Sequence, residues 1–177
     1  MMLRTIALSD QVSFPWFAPA GTRRGGITNA SSTGYINSEG EFVSTALNEG
    51  QRDTLYTNNV NPITFITGAG LVNYGQKTRF AGSSSLDRIN VARLVIYLRS
   101  QLNKLARPYV FEPNDKITRD EIKAQAESLL LELVGNRAIF DFLVVCDETN
   151  NTPTRIDRNE LYLDIAIEPV KLSLIHI

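Results

Sequence analysis

The stretch from Arg88 to Ala106 constrains the fold more than any other part of the chain. Val91, Leu94, Val95, Leu98, Leu102 and Leu105 recur at three- and four-residue spacing, which places them on one side of a helix. Arg88, Arg93, Arg99 and Lys104 point elsewhere, and Pro108 stops the helix. Ile89 and Ile96 fall away from the main stripe, among the bases. That second apolar strip points to a contact beyond the domain's own core.

A second helix is predicted from Thr118 to about Val134, because Thr118 and Glu121 fit a capping box. Ile122, Ala126, Leu129, Leu130 and Leu133 lie on one face of it, and Gly135 suits its C-terminal stop. Ile139 to Cys146 reads as a strand, apolar on most of both faces and therefore central. Leu161, Leu163, Ile165 and Ile167 alternate with Tyr162, Asp164, Ala166 and Glu168, which predicts a half-buried strand. The two strands would pair antiparallel across the polar loop at 147–159. Upstream, 63–67 reads as a strand, with shorter strands at 71–74 and 78–80 and a β-like piece at 109–112. A helix is expected over 45–57, with Gly50 as its weak point, and a helix start at 83–87. The class expected is α+β, a mixed β-sheet with at least two packed helices.

Residues 1–44 are rich in Gly, Ser, Thr and Pro and read as an extended segment. Phe14-Pro15-Trp16-Phe17-Ala18-Pro19-Ala20-Gly21 cannot be helical across both prolines and reads as an aromatic strap over something apolar. The stretch after it, from Thr22 to Gly40, is too long for an idle loop in a compact domain. It is functional, or it docks on another subunit or on a further part of a longer chain.

Several classes of chemistry lack their residues. Among 177 residues there is one cysteine, Cys146, and one histidine, His176, so a disulfide framework, a multi-cysteine zinc site and a core histidine base are excluded. No apolar run reaches the ~20 residues of a membrane helix, and 1–10 is too short and polar for a secretory signal. Gly68-Ala69-Gly70 has Asn73 where a dinucleotide loop needs a third small residue, so a strand turn is expected. Asp147 to Thr152 has Thr152 and Arg158 where a calcium loop needs Gly and an acid, so turn chemistry is expected instead. Cys146 reads as a buried small hydrophobe. No catalytic residue, cofactor or metal site is expected, and an enzyme is the least favoured class.

Charge is unevenly spread. Lys77 to Arg107 holds seven bases and one acid, while Phe111 to Ile177 holds seven bases and thirteen acids. Such a split suits head-to-tail contacts between copies or a polyanionic partner, or it marks two solvated faces. The basic stretch 77–107 could track phosphates, which keeps a small nucleic-acid-binding module as an alternative, although stacking aromatics are sparse there.

Read together, several segments resemble the contractile tail sheath proteins of T4-like bacteriophages. They are Pro15 to Gly21, Gln51-Arg52-Asp53-Thr54-Leu55-Tyr56, Asn61-Pro62, Asp87-Arg88-Ile89-Asn90-Val91 with Arg93-Leu94, Phe111-Glu112-Pro113-Asn114-Asp115, and Asp141 to Pro153. They occur in the family's order and cover about 13–171. The resemblance implies a subunit that stacks in rings of six as a helical polymer around a tail tube. Its contraction would drive the tube through the host envelope. Baseplate and tail terminator proteins would be further partners, with no direct nucleic acid and no membrane span. The protein would be a virion component made in the host cytoplasm. A tailocin or other contractile injection machine is the related alternative.

The resemblance also implies a layout: 1–44 belonging to a larger subunit, 45–171 the conserved C-terminal domain, and 172–177 an atypical tail in place of the family's arm. Met1 would be an internal methionine. The family's tube contact is a helix of this domain, for which Lys116, Arg119, Asp120, Glu121 and Lys123 are the candidates; solvated capping charges are the competing reading. Strand exchange with a neighbour would use the edge strand at 161–170, including Tyr162 and Asp164. Arg88, Arg93, Arg99 and Lys104 would face a neighbour or the tube.

Overall fold

The computed structural model describes residues 2–80, 82 and 84–171. These divide between Leu94 and Val95 into two units.

The first unit opens with a helix, α1 (Met2–Val12). An extended segment was expected here, but no proline or glycine interrupts 2–12, and Pro15 only begins the strap. Trp16, Ala18 and Pro19 are buried, and Phe14 stacks on Trp16 at 4.7 Å between ring centres. After a one-turn helix, α2 (Gly21–Arg24), the chain runs antiparallel to a strand far along the sequence. The amide of Ile27 donates to the carbonyl of Leu71, and that of Asn73 donates to the carbonyl of Gly25, both at 2.8 Å. The Asn73 side chain reaches further and donates to the carbonyl of Pro19 at 2.8 Å. The strap is therefore laid over an apolar base, as expected, and tied down by one asparagine.

The 22–40 loop contains half of a hairpin, β1 (Gly34–Ile36) with β2 (Phe42–Ser44), whose Tyr35, Ile36 and Phe42 are exposed. Helix α3 (Glu49–Thr57) starts at a capping box, Asn48 with Gln51. Strands β3 (Ile63–Ile66) and β4 (Gly70–Asn73) form a hairpin, and Gly68 and Gly70 take the positive φ angles its turn requires. The glycine pair is thus turn chemistry, as its sequence context indicated. The strand expected at 78–80 is reduced to an isolated bridge between Lys77 and Arg88, because Asn61 claims both backbone polar groups of Lys77 at 2.8 Å. The helix start expected at 83–87 is a single 3-10 turn, Ser85–Asp87, with Ser84 as its cap; Ser83 lies outside the described residues.

Helix α4 (Ile89–Ala106) matches its sequence pattern, with Val91, Leu94 and Leu98 buried. In the second unit, the β-like piece expected at 109–112 is a 3-10 turn, Arg107–Tyr109, followed by Phe111 at φ 77° and fully exposed. Helix α5 (Lys116–Gly135) starts two residues earlier than its capping-box signature. Asp115 is the cap and accepts from the Thr118 amide at 2.8 Å, which makes Thr118 the third helical residue rather than the cap. Its C-terminal stop also moves. Gly135 is the last helical residue, and Arg137, at φ 61°, makes the left-handed turn.

Strand β5 (Ile139–Val145) pairs antiparallel with β6 (Asp164–Pro169), and α5 packs on β5. Between them lies a short helix, α6 (Pro153–Asp157), inside the expected loop. The α+β class stands. Its strands form three two-stranded antiparallel ladders among the described residues, so β5 has one strand partner rather than a central place. No helix of the described residues is long and apolar enough to cross a membrane. The tail at 172–177 lies outside the described residues.

Candidate interaction surfaces

The β5–β6 ribbon has two chemically distinct faces because side chains alternate along each strand. Phe142 opposite Ile167 and Val144 opposite Ile165 form the covered face, with Cys146 buried beyond the strand end. Burial raises the Cys146 thiol pKa, so it stays a protonated, apolar filler. On the outer face Leu143 stands opposite Ala166, Asp141 opposite Glu168, and Val145 opposite Asp164. Leu143 is 61% exposed, and the three acids and Ala166 are exposed as well. Among the described residues no third strand pairs with either edge. An unpaired edge is a template for another strand.

The connection from β5 to β6 is locked by two buried asparagines. Asn151 accepts from the Tyr162 amide at 2.7 Å and donates to the Tyr162 carbonyl at 2.9 Å, so its carboxamide serves as a strand partner where no strand exists. Asn150 donates to the carbonyls of Val145 and Tyr162 and to the Asp164 carboxylate, at 2.8, 3.2 and 3.0 Å. Arg155 lies over the Tyr162 ring at 3.9 Å. Asp147 accepts from the Thr149 amide at 2.8 Å, which is the turn chemistry its sequence suggested. The Thr149 hydroxyl and amide together hold the Asp147 carboxyl pKa below its usual value.

The basic candidates separate into two groups. Arg88 donates to the Tyr56 hydroxyl and pairs with Asp87 at 3.2 Å, and Arg93 forms an ion pair with Asp10 on α1. Both are engaged within the first unit. Arg99 and Lys104 are exposed on α4 and form no ion pair among the described residues. They share one stripe with Ile96, Asn103 and Arg107, at spacings of three, four, seven, eight and eleven residues. Of the second apolar strip, Ile96 is 68% exposed whereas Ile89 is half-buried.

At the start of α5, Arg119 is not available to an outside partner. It is buried and donates to the side-chain and backbone oxygens of Asn114 at 3.0 and 3.3 Å. Lys116 and Asp120 pair with each other at 2.9 Å, both largely exposed. Glu121 is exposed and lies beside Tyr109, whose hydroxyl pKa is raised first by desolvation and then by the carboxylate. Lys123 is half-buried. Sequence reasoning missed Leu143 and Asp141, because 139–146 reads as apolar on both faces; Glu168 lies in the 161–170 strand proposed for exchange without being singled out there. It also missed the exposed tip at Val110, Phe111 and Ile117, which no periodic pattern marks.

The phage tail sheath C-terminal domain family matches residues 82–172. The tail sheath protein of Vibrio phage KVP40 is 38% identical over 165 residues, covering 93% of this chain and 23% of that protein. The tail sheath protein of Enterobacteria phage T4 is 37% identical over 168 residues, covering 93% and 24%. The chain thus spans under a quarter of the length of these relatives. Among solved structures, a chain of the anti-feeding prophage baseplate superposes with a TM-score of 0.82 at 21% identity, covering 99% of this chain and 47% of its own. A chain of that particle's helical sheath in the contracted state gives 0.77 at 21% identity, covering 96% and 46%. These two likenesses concern the fold.

Proposed function

This chain belongs to the phage tail sheath C-terminal domain family, and from that premise we propose that it works as part of a contractile tail sheath subunit. Copies polymerise around a tail tube in stacked rings, and contraction re-registers them. The work comes from a lattice with two packings of one subunit rather than from bond breaking. The role is structural and not enzymatic. The observation that carries this reading is the β5–β6 ribbon, which among the described residues is a two-stranded unit with unpaired edges and an exposed apolar centre. Two strands alone are marginal in water, so a neighbour's strand added at an edge would stabilise the subunit and link the lattice.

The domain layout follows the same reading, with 45–171 as the sheath C-terminal domain and 1–44 as the part that meets the rest of a larger subunit. Tube, baseplate and terminator proteins are its partners, and the assembled product is a virion component. For the tube contact, the Lys116–Asp120 pair with Glu121 remains the candidate, without Arg119. The phage setting is favoured over a tailocin by identities of 38% and 37% to phage sheaths, against 21% to the injection-particle chains. Nucleic-acid binding is disfavoured because Arg88 and Arg93 already have protein partners.

The test is negative-stain electron microscopy of the whole reading frame that carries this sequence, with its tube protein. Striated hollow tubes or stacked rings are expected. Monomers that never assemble would overturn the reading.

A further inference from the structure

Two exposed surfaces of the second unit are complementary. The α4 stripe carries Arg99, Lys104 and Arg107 around an exposed Ile96, with no acid on it. The outer face of the ribbon carries Asp141, Asp164 and Glu168 around exposed Leu143 and Ala166, with no base on it. Their lengths agree. The eleven residue steps from Ile96 to Arg107, the last into the 3-10 turn that follows α4, span about 16 Å. Four steps of strand from Asp141 to Val145 span about 13 Å. The ribbon face has its apolar pair between acids, and the stripe has its apolar residue at the end from which the bases follow, so each combines apolar contact with charge, as protein interfaces do.

The acidic face also carries a local cost. Asp141 and Glu168 stand directly opposite each other in the ladder, and like charges so placed destabilise a strand pair. Neither forms an ion pair among the described residues. A cationic surface laid over them relieves that repulsion.

We propose that copies of this chain join head to tail, the Ile96–Arg107 stripe of one copy docking on the outer face of the β5–β6 ribbon of the next. The two patches differ, so the contact is heterologous and repeats as an open chain or a ring, as a sheath requires. It is a face contact, separate from any strand added at the ribbon's edges. It deepens the sheath reading and rests on it for its setting.

The test uses two charge-reversed forms of the full chain. One is Arg99→Glu with Lys104→Glu; the other is Asp141→Lys with Glu168→Lys. Sedimentation velocity over a concentration series reads self-association. The unaltered chain is expected to associate at low salt and to dissociate as salt rises. Each reversed form alone opposes like charges and should need a roughly tenfold or higher concentration to associate. Mixed together, the two forms again present opposite charges at every contact, and association should return. That recovery also shows that both forms are folded.

Association of either form alone at the level of the unaltered chain would overturn the inference. So would a mixture that stays monomeric. Striated tubes assembled by either reversed form would sink the face contact and leave the sheath reading standing. A failure of the unaltered reading frame to form tubes would sink the sheath reading, while sedimentation would still judge the contact.

Discussion

Asn151 shows how much one side chain can decide. Its buried carboxamide accepts from the Tyr162 amide and, together with Asn150, donates to the Tyr162 carbonyl, so the strand-to-strand connection depends on it. Removing it leaves the Tyr162 amide without its partner, at about 1–3 kcal/mol, and takes a hydrogen bond from the Asn150 carboxamide oxygen. Asn151→Ala should therefore lower stability by about 2–4 kcal/mol, read as a shift in the urea midpoint at unchanged slope. Two carboxylates on the same unit contribute to its acid sensitivity. Asp115, held by the Thr118 amide, and Asp147, held by Thr149, both have pKa values below the ordinary one. A depressed folded pKa contributes stability that is complete above the unfolded value of about 3.9 and lost as pH falls through the folded value. Melting temperature should thus decline below about pH 4. Asp147→Asn keeps an acceptor for Thr149 but removes the titration, so its melting curve should flatten over that range. An unchanged acid limb in that variant would remove Asp147 from the account.

At the scale of elements, the ends of α5 and the strap at β4 are set by backbone geometry. Gly135 is helical, its φ is not positive, and a Cβ there meets nothing within 4 Å. Gly135→Ala should stabilise by about 0.5–1 kcal/mol, since alanine favours the helix and narrows the unfolded ensemble. A loss of stability would mean that Gly135, not Arg137, makes the left-handed turn in solution. Gly25 is the opposite case. A Cβ there would lie 2.6 Å from the Asn73 carbonyl oxygen and 2.7 Å from Gly21 backbone atoms. Gly25→Ala should force the strap off β4 and destabilise the first unit by about 1–3 kcal/mol. Hydrogen exchange at Ile27 and Asn73, whose amides make the cross-strand bonds, would report the detachment directly.

For the whole molecule, the basic residues of α4 divide by what they do. Arg93 is bound to Asp10 with its side chain 17% exposed, whereas Arg99 is exposed and free of ion pairs among the described residues. Arg93→Glu should lower the melting temperature by placing two carboxylates together in a half-covered site, a cost of about 1–3 kcal/mol. Arg99→Glu should leave folding within about 0.5 kcal/mol and act on association alone. Equal melting temperatures for the two variants would show that the Asp10 contact does not hold the fold. The positive and negative halves of the sequence therefore do not act as uniform patches. Part of each is consumed in folding, and only the remainder faces outward.

The sequence by itself determined the periodic elements. The helix over Arg88 to Ala106, the two strands ending the domain and the turn at Gly68 to Gly70 follow from side-chain spacing and local chain stiffness, which neighbours in the sequence decide. The family, too, was legible, because ordered segments such as Phe111 to Asp115 and Asp141 to Pro153 carry it without any coordinates. Tertiary structure alone decided which polar groups are spent. Arg119 and Arg93 look like surface charges in the sequence and are held inside or across the first and second units' own elements. Asp115 takes the cap by accepting from Thr118's own amide, which carries Thr118 inside the helix. The faces of β5 were decided by its having a single strand partner and by the packing of α5 on one side. Burial and pairing are long-range properties, and no local pattern in the chain encodes which of two identical charges will meet a partner.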